Sequence, residues 1–305
     1  MSFLKTCFCR FIFIILFSGI TYFNISCSQK PYHTTSVILI TFDSLRADSL
    51  SCYGYKRRTS YHIDQIASES FLFQNTFSQT YFSGPSISSI LTSLYPISHG
   101  VIRNSISLDD KHVTLQEILK SYGYDTAAIV NVSLLGHDFN YQQGFKIFNY
   151  VKGYPVKDED SGEWYNSVFK NAAQLLKLQE NNKFFLWIHC NYTHASYKPP
   201  EKYRDLFAKD VNIDKKYLHY RELIEAWNAE MLNKEDVDYA RSQYDAEIVH
   251  ADELFGQFIE ELKEYDLLEN IILVVTADHG EAFNFLKGRF GMVNTFMMRS
   301  FVCHY

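Results

Sequence analysis

Four short polar stations in this 305-residue chain carry residue types that can hold a cation and attack an ester. Asp43, then His189 with His194 close behind, then Asp278-His279 each close an apolar run, and Ser83-Gly84-Pro85-Ser86 stands just ahead of a helical pattern. Asp and His together offer hard oxygen and borderline nitrogen donors for a divalent cation, with a position left open for substrate. Taken singly, an aspartate after a strand is a turn former or a helix cap. Several such stations on one sheet edge point to a ligand, because open α/β sheets bind ligands beyond the carboxyl ends of their strands. Ser83 alone reads as a helix N-cap. Beside a cation its hydroxyl becomes a nucleophile, since the charge lowers its pKa, and the helix dipole adds an anion site there.

Positioning these residues takes a layered framework. Residues 36–42 form a continuous apolar, β-branched run, as suits a buried central strand. Similar strand signals lie at 126–130, 183–189 and 270–276, the last read as the final strand. Helical periodicity covers 63–68, 86–94 (stopped by Tyr95-Pro96), 113–122, 165–180 and 236–264. The polar stretch holding Pro199-Pro200 reads as a loop over the cleft. Strands alternating with helices predict an α/β fold with a largely parallel central sheet and helices on both faces.

The blocks in order resemble the sulfatase family, within the alkaline-phosphatase-like metallohydrolases. Asp43-Ser-Leu-Arg-Ala-Asp48 and Cys52-Tyr-Gly-Tyr55 are similar to its first metal segment, and Thr59 through Asp64 with Ile66-Ala67 resembles the helix that follows, with Ser60 in place of a proline. Ser83-x-Pro-Ser, Leu91-Thr-Ser-Leu-Tyr-Pro96 and His99-Gly-Val101 resemble the nucleophile segment. Phe185 to His189 with His194-Ala-Ser-Tyr197 resembles the middle histidine segment, and Thr276-Ala-Asp-His-Gly-Glu281 the second metal segment. The resemblance implies that Asp43, Asp278 and His279 bind one divalent metal cation, with Ser83 as nucleophile and fourth ligand. It implies that His194 contacts the ester or protonates its leaving oxygen, and that Asn104 lines the anion pocket. His189 stays open between a structural and a catalytic part; Arg46 and Glu281 are expected to brace loops.

Two departures from the family pattern matter. Ile87 stands where sulfatases carry the arginine that supports a formylglycine nucleophile, so Ser83 is expected to remain plain serine, which favours phosphoesters over classical sulfate hydrolysis. Ser44 stands where many members have a second aspartate, so manganese or zinc joins calcium as a candidate cation.

Hydrophobic residues make up 47% of the chain, enough to bury one large core, and a net charge of -6 with no basic stripe argues against a nucleic-acid partner. Lys5 and Arg10 precede an apolar run that gives way at Ser26-Cys27-Ser28, the pattern of an export signal. Three outcomes are open: a lipoprotein tethered to the membrane through Cys27, an uncleaved membrane anchor, or plain secretion. Among the cysteines beyond that segment, Cys52 and Cys190 are expected to be free thiols, and Cys303 lies in an unusual tail.

After Gly291 the resemblance stops. Read one nucleotide earlier, the Met292–Val293 junction must encode Gly and the Met297–Met298 junction Asp, and the shifted frame can spell His-Gly-x-His-Leu-Tyr-Asp-Glu-x-x-Arg-Val-Pro-Leu, as family members continue. The expected division is therefore 1–27 signal or anchor, 28–35 linker, 36–291 an incomplete catalytic domain, and 292–305 a frame-shifted tail. Lacking its C-terminal strands, such a chain is expected to expose a sheet edge. The implied function is metal-dependent hydrolysis of sulfate or phosphate esters. The alternatives are a membrane-associated phosphoryl-alcohol transferase and an inactive truncated remnant.

Overall fold

The computed structural model describes residues 35–152, 156–157, 164–165, 167–177, 182–208, 225–226, 232–281, 283 and 301–304. The expected signal or anchor at 1–27 and the tail from 292 to 300 lie outside the described residues. Strands in chain order are β1 (Ser36–Phe42), β2 (Phe71–Leu72), β3 (Asp125–Val130), β4 (Ile147–Tyr150), β5 (Val156–Lys157), β6 (Trp164–Tyr165), β7 (Phe184–Cys190), β8 (Ile271–Ala277) and β9 (Phe301–His304). The helices are α1 (Tyr61–Ser68), α2 (Ser83–Thr92), α3 (Pro96–His99), α4 (Leu115–Ser121), α5 (Val168–Lys177), α6 (Glu201–Arg204) and α7 (Lys234–Glu264). No described helix is long and apolar enough to cross a membrane.

Seven strands form one sheet in the order β2-β9-β8-β1-β7-β3-β4, and the run from β8 to β4 is parallel throughout. The expected bare edge on β8 is covered: β9 pairs antiparallel with β8 from Ile272 to Val275 and with β2 on its other side. A short β-capable stretch suffices for this, since backbone groups alone make the ladder.

Alternation along the strands divides the core in two. Ile38, Ile40, Phe42, Leu186, Ile188, Leu273 and Val275 pack against α1, α5 and α7. Leu39, Phe185, Trp187, Ala128 and Val130 meet Ile87 and Leu91 of α2 on the opposite face. Strands buried on both faces read as unbroken apolar runs, which is why β1 and β7 were visible in the sequence. Burying each such side chain contributes about 2 kcal/mol.

The 31-residue α7 starts with a reciprocal cap in which Asn233 and Asp236 exchange side-chain and backbone hydrogen bonds. It approaches α1 closely at Gly256, where a Cβ would stand 2.3 Å from Cγ of His62. Next to it, the buried Asp252 accepts from the backbone N–H groups of His62 and Ile63 at 2.9 and 2.8 Å, capping α1 from another helix. Cys190 is a buried free thiol, and Cys52 is half-buried.

Candidate metal centre and nucleophile

Register brings the stations together. Thr41 of β1 lies opposite His189 on one side and Thr276 on the other, so β1, β7 and β8 end side by side. The ladder continues one step past β1 and β8: Asp43 donates its N–H to Cys190 O at 2.8 Å, and Asp278 to Phe42 O at 3.1 Å. Both aspartates are thereby fixed at the carboxyl ends of central strands, where the sequence pattern places them.

Ser83 is the first residue of α2 rather than a cap ahead of it. Pro85 is accommodated at the third helical position because its missing N–H would have had no partner in the first turn. The helix N-terminus is pinned by Ser86, whose hydroxyl donates to Asp278 O at 2.5 Å, and by Tyr141, which donates to Gly84 O at 2.7 Å. Ser83 Oγ then lies 3.1 Å from His279 Nε2. That same nitrogen is 3.6 Å from Asp43 Oδ1 and 3.6 Å from Asp278 Oδ2. His279 Nδ1 faces Gly280 O at 2.9 Å, which suits an N–H there and leaves Nε2 free to offer a lone pair.

Asn104 accepts from the Gly84 N–H at 2.9 Å through Oδ1. Its amide NH2 is the donor end of that side chain. Gly84 permits the approach, since a Cβ there would stand 3.1 Å from Asn104 Oδ1. His194 is half-buried, with Nδ1 2.5 Å from Ala195 O.

Electrostatics couple these groups. Burial alone would push the Asp43 carboxyl up, but His194, His189 and His279 together hold it well below the usual carboxylate range. Asp278 is pushed up by burial and by the Asp43 charge. Burial would lower His194, and the charges of Asp43 and Glu281 outweigh it and raise the imidazole. His279 is raised in the same way by Asp278 and Asp43. Two buried carboxylates in one site repel each other, and a divalent cation removes that conflict.

The residues fit such a cation. Asp278 Oδ2 and His189 Nε2 are buried without a hydrogen bond. One ligand atom each of Asp43, His189 and Asp278 lie within 4.8 Å of one another. His189, open in the sequence between structural and catalytic parts, therefore sits beside the carboxylates, with Nε2 3.6 Å from Asp43 Oδ2.

The sequence marked Ser44 only as the replacement for an aspartate, and it did not single out Thr193. Ser44 adopts a left-handed conformation, φ 61°, held by its N–H to Asp278 Oδ1 at 3.1 Å, its hydroxyl to Asp43 Oδ1 at 3.0 Å, and Tyr244 OH donating to its carbonyl at 2.8 Å. It stands in the position of a second aspartate but orients two others. Thr193 donates to Asp43 O at 2.5 Å. Strand-end Ser and Thr carry no such signal in a sequence. Arg46 braces loops as expected: its fork binds Asp48 at 2.8 and 2.6 Å, and it donates to the carbonyl of Glu281. Ile87, in the expected arginine position, is fully buried in the apolar layer beneath α2.

The family model for sulfatases matches residues 35–292. An ulvan-active sulfatase from Formosa agariphila is 26% identical over 273 residues, covering 81% of this chain and 50% of that protein. Among solved structures, a phosphonate monoester hydrolase of Agrobacterium radiobacter superposes with a TM-score of 0.68 at 18% identity, over 88% of this chain and 68% of that one. The C-terminal periplasmic domain of EcEptC from Escherichia coli, in complex with Zn, gives 0.64 at 16% identity, over 89% and 73%. At these identities the structures establish a shared fold. The chain spans about half the length of the curated relatives it matches.

Proposed function

This chain belongs to the sulfatase family, and on that premise we propose that it is a metal-dependent hydrolase of sulfate or phosphate esters with Ser83 as nucleophile. The observation that carries the reading is the convergence of Ser83 Oγ, Asp43 and Asp278 on one nitrogen of His279, at 3.1, 3.6 and 3.6 Å. Asp43, Asp278, His279 and Ser83 would hold one divalent cation, which supplies Lewis acidity to the ester oxygens and lowers the serine pKa.

Ser83, its proton released to water, attacks the sulfur or phosphorus in line, forming a seryl ester as the bond to the leaving alcohol breaks. His194 delivers a proton to that leaving oxygen, a task its raised pKa suits. The amide NH2 of Asn104 and the first turn of α2 hold the anion oxygens. Water then opens the seryl ester at its central atom and returns the hydroxyl. A plain serine has no second hydroxyl with which to expel sulfate by elimination, so we place phosphoesters ahead of sulfate esters among its substrates. A phosphoryl-alcohol transferase is the second reading, favoured by the same plain serine. The Lys5-Arg10 flank and Cys27 support an exported protein tethered at a membrane surface.

Parallel assays of the metal-loaded chain on an aryl sulfate, a phosphate monoester and a phosphodiester, with and without an acceptor alcohol, separate these readings. Acceptor-dependent product formation without net hydrolysis supports the transferase. We read residues 292–305 as a shifted frame; the nucleotide sequence across Gly291 tests it.

A further inference from the structure

We propose that His189 is itself a ligand of the cation, giving the site two imidazole donors and selecting zinc over calcium. The proposal rests on the metal site described above and names a further residue in it.

The hydrogen bonds around His189 decide what its outer nitrogen can do. Trp187 Nε1 can only donate, and it donates to Thr41 Oγ1 at 3.0 Å. Thr41 Oγ1 is also 2.8 Å from His189 Nδ1 and 3.4 Å from Ile188 O. A hydroxyl has one proton and two lone pairs. With the Thr41 proton on Ile188 O, both lone pairs accept, one from Trp187 and one from His189 Nδ1–H. All three contacts are then satisfied together. This arrangement leaves Nε2 as a bare lone pair, fully buried, without a hydrogen bond and 3.6 Å from Asp43 Oδ2. A metal-binding histidine is oriented in this way, its second nitrogen donating to a fixed acceptor.

The opposite tautomer is less well served. It would bury an Nε2–H that faces Asp43 Oδ2 only at 3.6 Å, longer than a hydrogen bond. A structural role thus leaves a buried polar atom unsatisfied, whereas ligation satisfies it. Ser83 Oγ is seated against His279, and no hydrogen bond joins it to His189 among the described residues.

Two imidazoles, two carboxylates and a hydroxyl form a mixed nitrogen and oxygen set. Calcium takes six to eight oxygens, whereas imidazole suits zinc. Asp43 is central to this set, with Oδ1 facing His279 and Oδ2 facing His189.

The test uses the full chain with zinc alone as probe, followed by cobalt as a spectroscopic stand-in. X-ray absorption of the zinc-loaded protein is expected to count two imidazoles. His189→Gln is expected to lower zinc affinity by roughly tenfold or more and to change the cobalt visible spectrum, with the circular dichroism spectrum retained. Calcium in large excess is expected not to displace zinc. A single imidazole in the absorption data overturns the proposal whether or not the variant folds, as does a folded His189→Gln with unchanged zinc affinity and cobalt spectrum. The site as a whole is tested apart from this by Asp278→Ala: zinc retained in that variant refutes the shared reading, while zinc lost there and retained in His189→Gln refutes only the part given to His189.

Discussion

Ser83 Oγ lies 3.1 Å from His279 Nε2 across 196 residues of sequence, at the first helical residue of α2 and the end of β8. The position of Ser83, the proposed nucleophile, is therefore set by the seating of a helix on the sheet, through Ser86 and Asp278 O. Ile87, one turn further along, points into the core and offers nothing to a formylglycine. Mass spectrometry of the peptide spanning Ser83 is expected to find an unmodified serine. An aldehyde-bearing residue there would restore the sulfatase chemistry of the wider family.

Reinstating the family arginine should harm the protein. Ile87 is fully buried among Leu39, Leu91, Val130 and Trp187. Ile87→Arg places an unpaired charge in that layer, a loss on the order of 3 kcal/mol or more. Thermal unfolding and soluble yield measure it; a variant as stable as the parent would mean the side chain can reach polar partners.

Asp278→Ala removes a proposed oxygen ligand of the cation and the acceptor of the Ser44 N–H. Metal affinity is expected to fall by roughly tenfold or more. Stoichiometric metal after challenge with a chelator would show that the cation is held elsewhere.

Burial raises the Asp252 carboxyl to about 7, with Asp64 and Glu253 adding to the rise and the His62 and Ile63 N–H groups opposing it. Its unfolded value is about 3.9. Between these values the folded chain holds a proton that the unfolded chain releases, so this group's contribution to stability falls as pH rises from about 4 to about 7. Asp252→Asn should flatten that part of the dependence of Tm on pH, since an amide still accepts at the start of α1 but does not titrate. An identical slope in parent and variant would remove Asp252 as its source.

The legible parts of this molecule were those written in contiguous residues. Asp43 and Asp278-His279 close apolar runs that had to be buried strands, so both their element and their end of the sheet could be read. The start of α2 was placed three residues late, at 86, because Gly84-Pro85 reads as a breaker unless the first turn is recognised. β2 and β4, at two and four residues with partly exposed side chains, give too short and weak an alternation to detect. β9 lies in the stretch where the family resemblance had ended. The surroundings of His189 depend on Thr41 and Trp187, which the strand register alone brings into contact.

The central claim is catalysis by Ser83 at a metal centre, and turnover with Ser83→Ala as control tests it most directly. The full chain, loaded with zinc or manganese, is expected to release alcohol from at least one of an aryl phosphodiester, a phosphate monoester and an aryl sulfate. Ser83→Ala, with its metal content shown to be retained, is expected to lose roughly a thousandfold or more of that rate. No turnover of any of the three, or equal rates from parent and variant, would contradict the account.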